Sequence, residues 1–332
     1  MIPFQMFFHH LKQHFNLSIL ILLLCCAHSP LTAQLSKYQP YFVKDQTPGP
    51  DTTLHITFFG VSTLLFDDGE NQILVDGFFT RPSLLKVALG KVQTDTVLIR
   101  SIFKQYKINR LKGVFVTHTH YDHALDSGFV SRTTGAHLYG SLSTVQVGAG
   151  AGVPQQQLHE YVLNKPITIG KFSVTPVQSR HSRPTVFNND LGEQVQQPLH
   201  QPAKATDYSE GGTYDLLIRH GERSFLVKAS ANFVEGALDG HQADTVFLAT
   251  ATLGKQNTDF KERYYQTSLK NVKAKTVIPL HWDNFFRPLA KKAKFFPRIG
   301  DNNPRAFDFL IQKTKADGIG FKILLPGNSM SF

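Results

Sequence analysis

The sequence is poor in the residues that build disulfide scaffolds and membrane spans. Only two of its 332 residues are cysteines, Cys25 and Cys26, and both lie inside the longest apolar run, 17–27. With no cysteine after this run, neither a disulfide framework nor a cysteine-ligated zinc site is available to the rest of the chain. The run is shorter than the ~20 apolar residues that a membrane-spanning helix needs, so a multi-span membrane protein is excluded.

The first 33 residues have the composition of a targeting segment. Residues 1–16 carry Lys12 and several histidines but no acid, and the apolar run and SPLTA follow. This order is typical of a secretory signal peptide, and the small Ala33 predicts the cleavage point. We therefore predict a signal peptide at 1–33 and an exported chain, periplasmic or secreted. A lipoprotein is the less favoured alternative, because neither cysteine is preceded by a small residue.

Acidic residues are fewer than basic ones. The chain has 25 Asp+Glu against 35 Lys+Arg, a formal net charge of +10, and 41% of its residues are hydrophobic. This composition excludes a disordered chain, and the positive charge favours an anionic substrate or an anionic membrane surface, although simple solubility accounts for it equally well. No repeat or low-complexity tract follows residue 34, so 34–332 is predicted to form a single domain.

Short apolar runs recur along this domain and predict strands. They are 55–66, 72–76, 112–117, 171–177, 214–220, 223–229, 244–250 and 275–280. Helical spacing at 97–106 and 259–271 indicates that strands and helices mix, as in α/β layers. Polar residues stand where five of the runs stop, or shortly after: Asp76, His118, His181, Ser230 and His281. Because the loops beyond strand ends commonly carry α/β sites, we expect these five ends to build one site.

The segment HTHYDH at 118–123 places three imidazoles and a carboxylate directly after a buried strand. Neutral imidazole and carboxylate together suit zinc, iron or manganese. A turn that leaves the strand can direct His118 and His120 at one ion while Asp122 and His123 face a second. The segment therefore predicts a metal site.

This segment resembles the HxHxDH signature of the metallo-β-lactamase fold superfamily. Together with 58–79 and 277–286, it is similar to the branch that holds the ascorbate-phosphate lactonases and the N-acylphosphatidylethanolamine phospholipase D. The similarity runs over most of 54–326. It implies an α/β fold, a four-layer αββα sandwich, with a di-metal, usually di-zinc, hydrolytic site at one edge of the two sheets.

The resemblance also implies a ligand set. It assigns His118, His120 and His181 to one metal, and Asp122, His123 and His281 to the other. Asp76 matches the aspartate that lies behind the HxHxDH turn and orients a ligating imidazole. The role of Asp283 is left open: it is a substitute ligand, a second supporting carboxylate or a helix N-cap.

One position departs from the family pattern. The family usually has a metal-bridging Asp in a run like G-D-T-G at a strand end, whereas this chain has ASAN at 229–232, with Ser230 in the Asp position. A neutral hydroxyl is a poor bridge between two cations, so the affinity or preference of the second site is expected to change. Zinc is the expected cofactor, with two ions favoured and one left open, and iron or manganese also suits the ligands.

Metal-assisted hydrolysis is the reaction that the implied site favours. A metal lowers the pKa of bound water from 15.7 to about 7, so a metal-activated hydroxide is the expected nucleophile, with Asp122 as the group that orients it and shuttles its proton. We expect a phosphodiesterase or lactonase type of hydrolase, acting on a phosphodiester or another anionic ester or lactone. The alternative is an exported metal- or ligand-binding protein of the same fold, in which Ser230 weakens catalysis.

The basic aromatic stretch 285–305 bears on the partners. One interpretation is that its phenylalanines and cations dock on an anionic lipid surface. The other is that the phenylalanines belong to the core and the cations to a solvated face. We expect a small-molecule or lipid-like anionic substrate and leave peripheral membrane contact open. No nucleic-acid partner is expected, because the chain lacks the large inserted domain of the fold's nucleases, and the oligomeric state is left open.

Overall fold

The computed structural model describes residues 35–45, 54–184 and 189–332. The predicted signal peptide lies outside the described residues. In chain order the strands are β1 (His55–Phe58), β2 (Leu64–Asp67), β3 (Gln72–Val75), β4 (Leu111–Phe115), β5 (His137–Gly140), β6 (Leu158–Glu160), β7 (Ile167–Ile169), β8 (Phe172–Gln178), β9 (Tyr214–His220), β10 (Arg223–Lys228), β11 (Thr245–Ala249), β12 (Thr276–Leu280), β13 (Gly320–Phe321) and β14 (Ser329–Ser331).

Seven α-helices alternate with these strands in the part of the chain that the structure describes. They are α1 (Leu84–Leu89), α2 (Thr96–Gln105), α3 (Tyr121–Ala124), α4 (Ser127–Thr134), α5 (Leu142–Gly150), α6 (Thr258–Tyr265) and α7 (Asn303–Asp317). A π-helical turn, Gln266–Lys270, continues α6, so the predicted helical stretch 259–271 changes its hydrogen-bond pattern midway. Within the described ranges, none of the helices has the length and apolar character needed to cross a bilayer.

The strands form two seven-stranded sheets, in the orders β14-β1-β2-β3-β4-β5-β6 and β13-β12-β11-β10-β9-β8-β7. The inner faces pack on each other, and the ring centroids of Phe66 in β2 and Phe225 in β10 lie 5.6 Å apart. Helices α1 to α5 lie against the outer face of the first sheet, and α6 and α7 cover the second. This arrangement confirms the predicted four-layer αββα sandwich.

The apolar run 55–66 forms two strands instead of the single strand that its apolar residues predict. The chain reverses between β1 and β2 at Gly60, whose φ is +90°. A Cβ at Gly60 would overlap the Arg81 guanidinium and crowd the Asp283 carboxylate, so both the conformation and the close approach require glycine. The resulting tight turn lies beside the polar strand ends described below.

Strand direction places the polar strand ends at one side of the sandwich. In the first sheet β3 and β4 run parallel. In the second sheet β10, β11 and β12 run parallel, and β8 has the same direction because it and β10 each pair antiparallel with β9. The carboxyl ends of β8, β10 and β12 therefore share one edge, which positions the residues that follow them.

Candidate metal centre

The HxHxDH turn leaves β4 and is held by Asp76, the residue that follows β3. Asp76 accepts hydrogen bonds from the Thr117 amide (2.7 Å) and the Thr117 hydroxyl (2.9 Å). His120 then occupies the N-cap position of the short helix α3, where the His123 amide donates to the His120 carbonyl. The sequence therefore bends directly after the buried strand, and the bend brings the side chains of 118–123 together.

Six side chains form two triads, in each of which the ligand atoms lie within 4.8 Å of one another: His118, His120 and His181, and Asp122, His123 and His281. The triads are adjacent, because the ring centroids of His118 and His123 are 3.8 Å apart. The structure thus brings together all six residues that the resemblance assigns as ligands.

The second sheet supplies one histidine to each triad. His181 lies beyond β8, and its carbonyl accepts a hydrogen bond from Asn232 Nδ2 at 2.7 Å. His281 follows β12 directly in a left-handed conformation, with φ of +55°, and its amide donates to the Val61 carbonyl at 2.7 Å. Backbone strain of this kind persists only where the surroundings hold the residue in place, and it concentrates at functional sites.

Burial keeps His118 and His181 of the first triad uncharged. It lowers the pKa of His118 well below its ordinary value, with the neighbouring histidines adding to the effect, and the same causes lower the pKa of His181 to about 3. Neutral imidazole is the form that binds a metal ion. These two histidines are therefore in their ligating form at neutral pH.

Opposite charge dominates the second triad. Burial by itself raises the pKa of Asp122, but His123 and His281 outweigh it and hold that pKa well below the usual range. For His281, burial lowers the pKa, yet the Asp122 carboxylate, whose Oδ2 is 3.3 Å from His281 Nε2, raises it overall. Asp122 is therefore ionised at neutral pH and available as a ligand.

The donor set fits a transition-metal centre. Five imidazoles and one carboxylate are ligands that zinc, iron and manganese share. His118 Nε2 is buried and has no hydrogen-bond partner among the described residues. A buried polar atom without a partner costs about 1–3 kcal/mol, and a bound cation would supply the missing interaction.

Asp76 lies behind the second triad, where the resemblance places it. Its Oδ2 is 2.8 Å from His123 Nδ1, and the Ser62 hydroxyl donates to the same oxygen. The residue is fully buried and has a φ of +56°. A carboxylate on Nδ1 fixes the orientation of the imidazole and leaves Nε2 of His123 for a metal.

Asp190 orients an imidazole of the first triad in the same way, and the sequence did not predict this role. Its carboxylate oxygens lie 3.1 and 3.2 Å from His120 Nε2, and one of them also accepts the Glu210 amide. With Nε2 donating to Asp190, Nδ1 of His120 is left for a metal. An isolated aspartate in the polar loop FNNDLGE has no spacing that links it to HxHxDH, so only the fold reveals the contact.

Asp283 supports the second triad indirectly. Its carboxylate pairs with the buried Arg81 guanidinium at 2.9 Å and accepts the Val61 amide at 2.8 Å. The same Val61 residue accepts the His281 amide, so Asp283 holds the turn against which His281 rests. No helix begins at Asp283, and the helix N-cap interpretation was therefore wrong.

Ser230 occupies the turn that follows β10 and is only 4% exposed. Two residues further on, Asn232 binds the His181 carbonyl, which places this turn beside the first triad. Asp215, on the neighbouring strand β9, is engaged by the buried Lys228 ammonium at 2.6 Å. The turn beside the first triad therefore carries a buried neutral hydroxyl, at the residue that the resemblance matches to the family's carboxylate.

The two-sheet sandwich with an HxHxDH turn at its edge defines the metallo-β-lactamase fold. A family model described as a beta-lactamase superfamily domain matches residues 71–282, which is most of the chain, and the protein belongs to this family.

Individual curated relatives match a smaller part of the chain than the family model does. A UPF0173 metal-dependent hydrolase from Heliobacterium modesticaldum is 30% identical over 100 residues, which are 30% of this chain and 35% of the relative. The matched region thus spans about a third of that curated relative.

Two solved structures share the fold. Igni18, a metallo hydrolase from Ignicoccus hospitalis, has a TM-score of 0.53 at 15% identity, over 85% of this chain and 99% of its own. An isothiocyanate hydrolase from Delia radicum gut bacteria has a TM-score of 0.53 at 12% identity, over 84% and 99%. At these identities the likeness concerns the fold alone.

Proposed function

We propose that this protein is an exported metal-dependent hydrolase that acts on a phosphodiester or another anionic ester or lactone. The observation that carries the proposal is the pair of adjacent triads, with a combined donor set suited to two divalent cations. Membership of the beta-lactamase superfamily supports a hydrolytic role. The name of the Heliobacterium relative, a metal-dependent hydrolase, agrees with it.

Zinc is the proposed cofactor, with His118, His120 and His181 holding one ion and Asp122, His123 and His281 the other. A bound divalent cation lowers the pKa of a coordinated water and polarises the group under attack. Asp190 and Asp76 hold the His120 and His123 rings in place through the contacts given above.

Asp122 is the catalytic residue that we propose for proton transfer. Its carboxylate lies between His123 and His281, at 3.8 and 3.3 Å from their Nε2 atoms, and its side chain is 13% exposed. Since its pKa lies below the usual range, the carboxylate is ionised at neutral pH and can accept the hydrogen bond through which an attacking water is oriented. The partial exposure gives water and substrate access to it.

The anionic character of the proposed substrate is supported by the segment beyond His281. The Phe285 ring lies 5.6 Å from the His281 ring and packs against Phe286 and Phe296. These three rings are partly exposed, whereas Phe295 is buried in the main core. Five cations of the same stretch form no ion pair with described residues: Arg287, Lys291, Lys292, Lys294 and Arg298.

The same stretch supports peripheral contact with an anionic membrane, as a secondary part of the proposal. Partly exposed aromatic rings beside unpaired cations are typical of interfacial binding. Vesicles with and without phosphatidylglycerol test it: we expect co-sedimentation with the anionic vesicles that 0.5 M salt abolishes. Absence of binding to the anionic vesicles would remove the membrane from the proposal.

The experiment that tests the hydrolase proposal combines metal analysis with turnover. The chain from residue 34 onward, loaded with zinc, manganese or iron, is assayed on bis(4-nitrophenyl) phosphate, an acyl lactone and a β-lactam. We expect metal-dependent turnover of the phosphodiester or the lactone, and a loss of at least a hundredfold in Asp122→Ala. Asp207→Asn, a change in the long loop, is the control that should retain activity.

A binding protein with weakened catalysis is the alternative, and the buried neutral Ser230 is the observation that favours it. If the metal-loaded chain fails on all three substrates and Ser230→Asp gains turnover, this alternative replaces the hydrolase. Ser230→Asn, which adds similar volume without charge, separates the effect of the charge from that of size.

A further inference from the structure

A pocket of about 430 Å³ opens beside the first triad and has no part in the proposed chemistry. His181 lies at its edge, and its walls include Leu163, Arg180, Leu191 and Tyr214. Its volume is within the range of small-molecule sites. The pocket is therefore large enough to hold the part of a substrate that does not react.

One side of the pocket is apolar and exposed. Leu163 is 43% exposed and Leu191 is 37% exposed, and both belong to the small set of large hydrophobic side chains that the described part of the chain leaves in solvent. They come from segments far apart in sequence, the turn before β7 and the loop before β9, yet they line the same concave surface. Exposed apolar side chains that converge on one cavity indicate an apolar ligand group.

The other side carries an unpaired cation. Arg180 directly precedes His181, is exposed, and its guanidinium forms no ion pair or hydrogen bond with any residue that the structure describes. Arg183, three residues further on, is engaged instead over the Phe260 ring, with 4.6 Å between its Cζ and the ring centroid. An unpaired guanidinium is suited to bind carboxylate or phosphate through two parallel hydrogen bonds.

The acid in the pocket wall does not cancel this cation. Glu210 is 5% exposed, and its carboxylate accepts the Gly192 amide at 2.8 Å and the Thr213 hydroxyl. Both oxygens are therefore used to hold the loop, and neither is paired with Arg180, which leaves the guanidinium available to a ligand.

We propose that this pocket binds an amphipathic anion, with its carboxylate or phosphate on Arg180 and its apolar chain against Leu163 and Leu191. The inference rests on the proposed function only for the reaction that follows binding. Arg180 and the two leucines then determine specificity, because they select substrates in which an anionic group adjoins an apolar chain next to the scissile bond.

Binding to the chelator-treated protein tests the pocket without any turnover. The probes are octyl phosphate and octanoate, which carry both groups, with octanol and inorganic phosphate as probes that carry one each, all measured by calorimetry. We expect octyl phosphate or octanoate to bind at least tenfold more tightly than either single-group probe. Arg180→Gln should weaken that binding at least tenfold, and Leu191→Asn should weaken it several-fold, while the matched control Arg183→Gln should leave it unchanged.

Three results would overturn the proposal: equal binding by wild type and Arg180→Gln, equal binding of octanol and octyl phosphate, or an equal loss in Arg183→Gln. Because Arg180 and Leu191 are exposed, their replacement is not expected to unfold the protein. A failure of turnover with this binding intact would instead count against the hydrolase, so the two proposals can fail separately.

Discussion

Two carboxylates that are not assigned as ligands fix the orientation of two imidazoles that are. Asp76 contacts His123 at 2.8 Å, and Asp190 contacts His120 at 3.1 Å. One comes from the end of a strand in the first sheet, and the other from the long loop that precedes β9. Each triad thus has one histidine whose ring position depends on an acid from a different element.

Replacing Asp190 tests this dependence in the first triad. In Asp190→Asn the amide can still contact His120, but the charge that favours Nε2–H is gone. Removal of such partners typically costs 10- to 100-fold in metal affinity. We expect a loss of this size for whichever of the two bound ions shows the larger fall in affinity. Titration against a chromophoric chelator measures it. Glu193→Gln, an exposed change in the same loop, should bind metal as wild type does; an equal loss there would contradict the assignment.

Replacing Asp76 tests the second triad. The two carboxylate oxygens of Asp76 serve His123, Thr117 and Ser62 together, and an amide offers one acceptor oxygen where the carboxylate offers two. We expect Asp76→Asn to lower metal affinity at least tenfold, with folding retained by circular dichroism. Unchanged binding of both ions would show that His123 does not need this partner.

At the residue scale, the sequence predicted those members of the site that follow a strand or share a motif. His118 to His123 are recognisable as HxHxDH, and Asp76, His181 and His281 come directly after, or shortly after, apolar runs. Asp190 and Asn232 were not predicted, because one hydrogen bond to a ring nitrogen or to a carbonyl imposes no sequence pattern. The residues that position the ligands become visible only once the loops are folded.

At the scale of elements, strand β10 is joined to β9 by a buried ion pair. Lys228 Nζ lies 2.6 Å from Asp215 Oδ2, and their side chains are 0% and 2% exposed. Burial raises the pKa of Asp215, against the opposing effect of the Lys228 charge. Lys228 lies two residues before Ser230, so loss of the pair would affect the end of the strand that borders the metal centre.

The ion pair yields a stability prediction. Removing one partner of a buried pair leaves an uncompensated charge, which typically costs 3–5 kcal/mol, whereas replacing both partners by apolar residues is often neutral. We expect Lys228→Met to lower the free energy of unfolding by about 3–5 kcal/mol, and Lys228→Met combined with Asp215→Leu to recover most of it. Urea denaturation checks both variants; a double variant less stable than the single one would contradict this account.

The elements themselves could be predicted to within a residue or two where an apolar run is continuous. The expected strand 214–220 is β9 (Tyr214–His220), and the expected helix 97–106 is α2 (Thr96–Gln105). Prediction failed where a local feature interrupts an apolar pattern. Gly60 turns the run 55–66 back on itself, and α6 changes to a π-helical turn at Gln266, a step that residue spacing does not encode.

At the scale of the whole molecule, one buried acid makes stability depend on pH. Asp126 is fully buried, and burial raises its pKa to about 6, although the Thr80 and Phe79 amides oppose the rise. A group whose pKa is higher in the folded state contributes stability below its unfolded value, 3.8, and this contribution is lost as pH rises through about 6.

The variant Asp126→Asn isolates this effect. We expect the free energy of unfolding of wild type, measured relative to Asp126→Asn, to fall by up to about 3 kcal/mol between pH 4 and pH 7. Urea denaturation of the chelator-treated proteins across this range provides the measurement. A constant difference between the two proteins would mean that Asp126 titrates alike in the folded and unfolded states.

The metal centre also joins the two sheets of the molecule. His118, His120, Asp122 and His123 follow β4 of the first sheet, whereas His181 and His281 follow β8 and β12 of the second. Each triad therefore draws ligands from both sheets. A metal ion held by either triad binds the folded arrangement more tightly than the unfolded chain, in which the ligands from the two sheets are apart, so it stabilises the sandwich as a whole.

This coupling predicts the effect of metal removal. At a free zinc concentration a hundred times the dissociation constant, one site adds about 2.7 kcal/mol to the free energy of unfolding, and a chelator removes it. We expect zinc to raise the melting temperature of wild type by several degrees, and to raise that of His181→Ala and of His281→Ala by less. Because His181 and His281 belong to different triads, each variant should lose a different part of the rise. His241→Ala, a histidine outside both triads, should keep the full rise. If zinc stabilised His181→Ala and wild type equally, the ligands from the second sheet would not hold metal, and the centre would have to rest on the HxHxDH turn alone.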